Sequence, residues 1–205
     1  FQDSDGDGVG DLPGVTRRLD HLVRLGVDAV WLSPIYPSPM ADFGYDVSDY
    51  TGVHPEFGTP ADFDRLVEAA HARGIRVIGD LTTNHSGIAH EWFRAAHGKP
   101  DAPESAFYYF SDDDNTTYET WLDAPTLPKF NWNSDELRRR FIDGPDSVVA
   151  RWLKPPYSID GWRIEAAPTS KQGTLAAAYQ LGYRLALICA GAGLNSILAT
   201  SPNGT

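Results

Sequence analysis

Residues 75–85 read Ile75-Arg76-Val77-Ile78-Gly79-Asp80-Leu81-Thr82-Thr83-Asn84-His85. Ile75 to Leu81 is a short apolar, β-rich run that opens just after Gly74, which stops a stretch of helical period. That stretch begins at Thr59-Pro60-Ala61-Asp62, with an N-cap residue, a proline at the first helical position and an acid in the first turn. Phe63, Leu66, Val67 and Ala70 then fall on one face. A helix handing over to a buried strand is the unit that the flanking sequence repeats.

Upstream, Pro13 to Leu25 places Val15, Leu19, Leu22 and Val23 at helical spacing before Gly26. Asp28 to Leu32 follows as a strand expected to be buried on both faces, closed by Pro34, Pro37 and Pro39. A loop runs from Tyr36 to about Phe57. Downstream, a helical stretch from Asp135 to Leu153 precedes a third strand, Ile159 to Ile164. Alternating helices and strands imply parallel strands joined by crossovers, in either a doubly wound sheet or a (β/α)8 barrel. The aromatic and acidic segment from about His85 to Asn133 exceeds ordinary loop length and reads as an inserted subdomain.

The 205 residues, 41% hydrophobic and 12% aromatic, supply enough apolar surface for a folded core. A formal net charge of -11, with no run of Lys or Arg, argues against a nucleic-acid partner. No stretch of eighteen apolar residues suggests a membrane partner. The single cysteine, Cys189, allows no internal disulfide and is compatible with a reducing compartment, a weak pointer to the cytoplasm. All 28 acids precede Ala166, although about 5 would be expected in the last forty residues by proportion. That tail reads either as an Ala/Leu-rich helix from Thr174 to Leu187 with a polar end, or as non-native sequence.

Four local patterns carry chemistry. Asp3, Asp5, Asp7 and Asp11, interleaved with Gly6, Gly8 and Gly10, form an oxygen-rich loop suited to Ca²⁺ or Mg²⁺. An EF-hand would need Glu at its twelfth position, which is Gly14, and a preceding helix. Asp42, Tyr45, Asp46 and Asp49 follow the first strand, where a parallel sheet presents loops to ligand. They suit a sugar, whose apolar face stacks on a ring while carboxylates accept from its hydroxyls, or they make a plain surface loop.

Asp80 and His85 lie at or beyond the carboxyl end of the second strand, where His85 is a ligand-facing residue or a structural cap. His85, His90, Glu91 and His97 lack the HExxH spacing of a zinc helix. Arg163 and Glu165 share a face of the third strand by the period of two. They read as an oriented, ionised carboxylate beside an Arg or as a structural ion pair.

DSDGDGVGD, FGYDVSDY, DLTTNHSG, LPKFNWNS and DGWRIE stand in the order and approximate spacing of the conserved regions of glycoside hydrolase family 13, the α-amylase superfamily. The chain resembles that family from Phe1 to about Ala167, and its α-glucosidase, oligo-1,6-glucosidase and trehalose synthase branch in the opening loop. The resemblance implies an α/β fold that is a partial (β/α)8 barrel, about strands two to four, with a subdomain inserted after the third barrel strand. It divides the chain into barrel (1–84), insertion (85–133), barrel continuation (134–167) and an atypical tail (168–205).

By the same resemblance, Asp3, Asp5, Asp7, Asp11 and the Val9 carbonyl would hold a structural Ca²⁺ or Mg²⁺. Asp42, Tyr45 and His85 would hold the glucose at the cleaved bond. Arg163 would stand beside the nucleophile, and Glu165 would occupy the nucleophile position, where the family has Asp. The implied activity is retaining cleavage of short α-glucosides, with a Glu acid/base on later strands, since no acid follows Glu165. A transglucosylase or trehalose synthase, or a non-catalytic sugar-binding module on the same fold, are the alternatives.

Overall fold

The computed structural model describes residues 2–165 and 197–199, with Glu165 and the last strand described by backbone. Its elements are α1 (Leu12–Arg24), β1 (Ala29–Trp31), α2 (Pro60–His71), β2 (Arg76–Thr82), α3 (Glu91–Ala96), β3 (Thr120–Trp121), β4 (Ala124–Pro128), α4 (Asp135–Arg138), α5 (Val148–Leu153), β5 (Gly161–Glu165) and β6 (Ile197–Ala199). β1, β2, β5 and β6 form one sheet in that order, every adjacent pair parallel. Among the described residues the sheet is open and no barrel closes.

The predicted helices start where their caps dictate. Asp11 caps α1 by accepting from the Gly14 N–H at 2.6 Å. Thr59 and Asp62 close a reciprocal capping box on α2, with the Thr59 N–H 2.8 Å from Asp62 Oδ2. Leu19 from α1, Phe63 and Leu66 from α2, Val77 and Leu81 from β2, and Trp162 from β5 are all buried in one core. α2 is the crossover from β1 to β2, whereas the insertion with α4 and α5 spans β2 to β5.

Two expectations need correction. The helix expected over Asp135–Leu153 is broken: the Gly144 N–H reaches back five residues to the Arg139 carbonyl at 2.8 Å, closing a π turn over Arg139–Asp143. Pro145 follows with no N–H to give, and α5 restarts on a fresh cap, Ser147 Oγ accepting from the Ala150 N–H. The strand expected to be buried on both faces is half-covered. β1 lies at the sheet edge, and Trp31 keeps 50% of its surface exposed. The helix expected over Thr174–Leu187 lies outside the described residues; within the tail, β6 extends the sheet.

The insertion folds as α3, a 3-10 turn at Pro103–Phe107 and the antiparallel β3–β4 hairpin. Trp92, Phe93, Phe107, Tyr108, Phe130 and Trp132 are buried together there, joined to the sheet side through Tyr50 and Phe141. His90 caps α3 through its Nδ1, which accepts from the Trp92 N–H at 3.1 Å.

Burial depresses the pKa of both His85 and His90 from 6.5 to about 4, so each folds neutral. The unfolded chain then binds more protons than the folded one between those values, and stability falls as pH drops. Full stability is expected above about pH 6.5, with a loss on the order of 3 kcal/mol per histidine by pH 4. Urea unfolding at stepped pH checks this; His90→Gln, which keeps a capping acceptor without the titrating ring, is expected to flatten the slope.

Candidate active site

At the carboxyl ends of β2 and β5 the register sets Asp80 opposite Arg163 and Thr82 opposite Glu165. Asp80 is buried, and its Oδ2 accepts three bonds from three separate elements. Arg163 Nη1 stands at 2.5 Å, Trp31 Nε1 at 3.0 Å and the Tyr45 hydroxyl at 3.3 Å. Arg163 Nη1 also donates to the Tyr45 hydroxyl at 3.1 Å, and its guanidinium lies 4.6 Å from the Trp31 ring centroid. The backbone under Asp80 is held too, its carbonyl accepting from the buried Tyr36 hydroxyl at 2.9 Å.

Tyr45 reaches this cluster because its loop is tied down by Asp46. That buried carboxylate accepts from Ser38 Oγ at 2.7 Å and from the Ala41 and Asp42 N–H groups at 3.0 and 3.1 Å. Gly87 latches the same loop to the segment after β2: its N–H donates to the Val47 carbonyl at 2.8 Å, and a Cβ there would stand 2.4 Å from the Asp46 carbonyl oxygen. Asp42 is half-buried on the loop, its carbonyl accepting from the Tyr45 N–H at 2.9 Å. Burial, with the charge of Asp46 nearby, raises its carboxyl above the usual range. Asp49 turns away and accepts from the Thr51 N–H and hydroxyl.

His85 is 2% exposed, and its carbonyl is clamped by the Tyr50 hydroxyl at 2.8 Å. The Asn84 Nδ2 amide stands 3.2 Å from Nδ1 and can only donate. Nδ1 is therefore the acceptor, and the neutral ring carries its proton on Nε2. Nε2 has no hydrogen bond of full geometry among the described residues, but the Tyr45 backbone carbonyl lies near enough to accept from the ring and, with the Asp46 charge, partly offsets the effect of burial.

The acidic loop gathers Asp3, Asp5 and Asp11, each with an oxygen within 4.8 Å of the others. Gly6 and Gly8 turn through φ of 89° and 93°, which lets Asp3 accept from both of their N–H groups at 2.6 and 2.9 Å. These bonds hold the Asp3 carboxyl below its ordinary pKa. Asp11 joins loop to helix, accepting from Ser4 as well as from Gly14. Asp7 accepts from the Val9 N–H at 2.8 Å, outside the group of three. Three converging carboxylates on a glycine-hinged loop fit a hard divalent cation.

Asp80, Trp31, Asn84 and Trp121 are the residues at the site that the sequence left without a role. The Asp80–Arg163 pairing could have been found by aligning the ends of the two strands as parallel neighbours, which puts both residues on one level. Trp121 arrives on the hairpin from a distant stretch, and no local signal marks it.

Comparison with known proteins shows the family. A family model described as the alpha amylase catalytic domain matches residues 1–179. Trehalose synthase/amylase TreS of Mycolicibacterium smegmatis is 41% identical over 187 residues, which cover 82% of this chain and 31% of that protein. An alpha-glucosidase of Apis mellifera is 38% identical, covering 82% and 33%. The chain thus spans about a third of the length of the curated relatives it matches. Among solved structures, Bacillus licheniformis trehalose-6-phosphate hydrolase superposes with a TM-score of 0.75 at 32% identity, covering 87% of this chain and 37% of that one. The alpha-glucosyl transfer enzyme XgtA superposes with a TM-score of 0.73 at 38% identity, covering 82% and 34%. The open parallel sheet is accordingly part of a (β/α)8 barrel, and the chain belongs to the α-amylase catalytic-domain family, glycoside hydrolase family 13.

Proposed function

We propose that a protein built on this segment cleaves or transfers glucose from short α-glucosides by a retaining mechanism. The observation that carries the reading is the cluster of Arg163, Tyr45 and Asp80 at the carboxyl ends of adjacent parallel strands, with the buried His85 ring beside the Tyr45 backbone. Tyr45 offers a ring to a pyranose face, Asp42 a carboxylate to its hydroxyls, and His85 a donor to a third. Glu165, two residues after Arg163 in the sequence, is the residue we assign to the nucleophile position. Its carboxylate would attack the anomeric carbon as the glycosidic oxygen leaves with a proton from a second carboxyl; water would then release the glucose.

Retaining chemistry needs that second carboxyl about 5–5.5 Å from the first, and the family supplies it from later strands. The 205-residue chain alone is therefore expected to release nothing from a chromogenic α-glucoside. Joined to a complete family barrel, the Glu165→Asp form is expected to turn over. The Glu165 form is expected to be on the order of 100-fold slower, because one added methylene displaces the attacking oxygen by about 1 Å. Silence from the completed Glu165→Asp barrel would defeat the catalytic reading and favour a sugar-binding module, which the Glu at an Asp position also suits. A trehalose synthase activity is supported by the 41% identity to TreS, and analysis of products from maltose separates it from hydrolysis.

We also propose that the loop of Asp3, Asp5, Asp7, Val9 and Asp11 holds Ca²⁺ or Mg²⁺ and stiffens the entry into α1. Free cation at 100-fold its Kd is then expected to stabilise the fold by about 2.7 kcal/mol. Thermal unfolding with Ca²⁺, with Mg²⁺ and with chelator measures this. Asp3→Asn is expected to abolish the difference between cation and chelator; a wild-type midpoint indifferent to both ions would end the proposal.

A further inference from the structure

We propose that Trp121, delivered by the inserted hairpin, is a positioning residue that holds the His85 imidazole as an Nε2–H donor facing the sugar site. The inference rests on the reading of His85 as a sugar ligand and adds the residue that keeps it in that role. The Trp121 and His85 rings stack with centroids 6.3 Å apart and planes inclined by 29°, within the range of offset aromatic pairs. The hairpin is fixed to the histidine's own segment. His85 and Lys129 form an antiparallel bridge, and the Ser86 N–H donates to the Pro128 carbonyl at 3.2 Å. Trp121 pairs with Ala124 across the turn, so its place over His85 is set by backbone register and not by side-chain preference alone.

The imidazole thus has three separate constraints. Asn84 Nδ2 occupies Nδ1, the Tyr50 hydroxyl holds the carbonyl, and the indole lies offset against the ring. Nε2 is left with the Tyr45 backbone carbonyl beside the ring, the acceptor with which a sugar oxygen would compete. The two-residue turn that presents the indole has Leu122 and Asp123 both at positive φ, 48° and 61°, as a primed hairpin turn requires. Leu122 is also 80% exposed.

Long-range ¹H–¹⁵N spectra of the ¹⁵N-histidine-labelled 205-residue chain test this, with His85 identified by its loss in His85→Ala. Wild type is expected to show one protonated Nε2 and one acceptor Nδ1, unchanged down to about pH 5. Trp121→Leu, which keeps apolar bulk without the flat face, is expected to give mixed tautomers and a titration moved at least one pH unit towards 6.5. Trp121→Phe is expected to restore the wild-type pattern, and Leu122→Ala, at the same turn, to leave it intact. A wild-type His85 spectrum in Trp121→Leu would overturn the proposal, as would an equal disturbance in Leu122→Ala, which would assign the effect to the hairpin's fold. Titration with glucose in the same samples judges the underlying reading separately. Loss of binding in His85→Ala supports it, whereas undiminished binding removes His85 from the sugar site whatever its tautomer.

Discussion

One buried carboxylate oxygen organises this end of the sheet. Asp80 Oδ2 accepts from the side chains of Trp31 on β1, Tyr45 on the following loop and Arg163 on β5. A carboxylate with no exposed side-chain surface is tolerated only with a cation and further donors around it, and here each donor comes from a different stretch of chain. The hydrogen bonds that satisfy Asp80 therefore fix the relative positions of the groups proposed to meet a sugar. The electrostatic requirement of one residue becomes the geometry of a site.

Around that point the fold provides successive clamps on two loops. Asp46 folds its own loop by accepting from Ser38, Ala41 and Asp42. Gly87 draws the loop against the segment after β2, and Tyr50 bonds to the carbonyls of Thr82 and His85. The insertion's aromatic core then packs behind these residues through Trp132, whose Nε1 donates to the Thr83 carbonyl at 2.8 Å. The insertion is thus not an appendage: its core packs behind the segment that follows β2, and its chain bridges to His85 through Lys129.

Local signals placed most elements. The Thr59-Pro60 cap starts α2 where expected, and the three short apolar runs became β1, β2 and β5 within a residue or two at each end. The broken helix after Asp135 had its warning in Gly144-Pro145, a strong breaker overridden by the apolar periodicity on either side. The exposure of β1 was not legible, because a strand's burial depends on what lies beside it and the run itself reads the same at an edge or in the centre. Within the site, His85 and Arg163 could be named from their places at strand ends. The role of Asp80 could not, since its partners lie 35 to 83 residues away and meet only once the parallel register is set. Trp121 was hidden for the same reason, its approach to His85 being a property of the folded hairpin.

The central claim is that Asp80 and Arg163 act as one coupled unit on which the site's geometry rests. A double-mutant cycle with Asp80→Asn, Arg163→Met and the two combined, read by urea unfolding at neutral pH, measures that coupling. The account predicts an interaction free energy of about 2–3 kcal/mol, with each single change costing nearly as much as both together. Additive losses, with a coupling below about 0.5 kcal/mol, would contradict it.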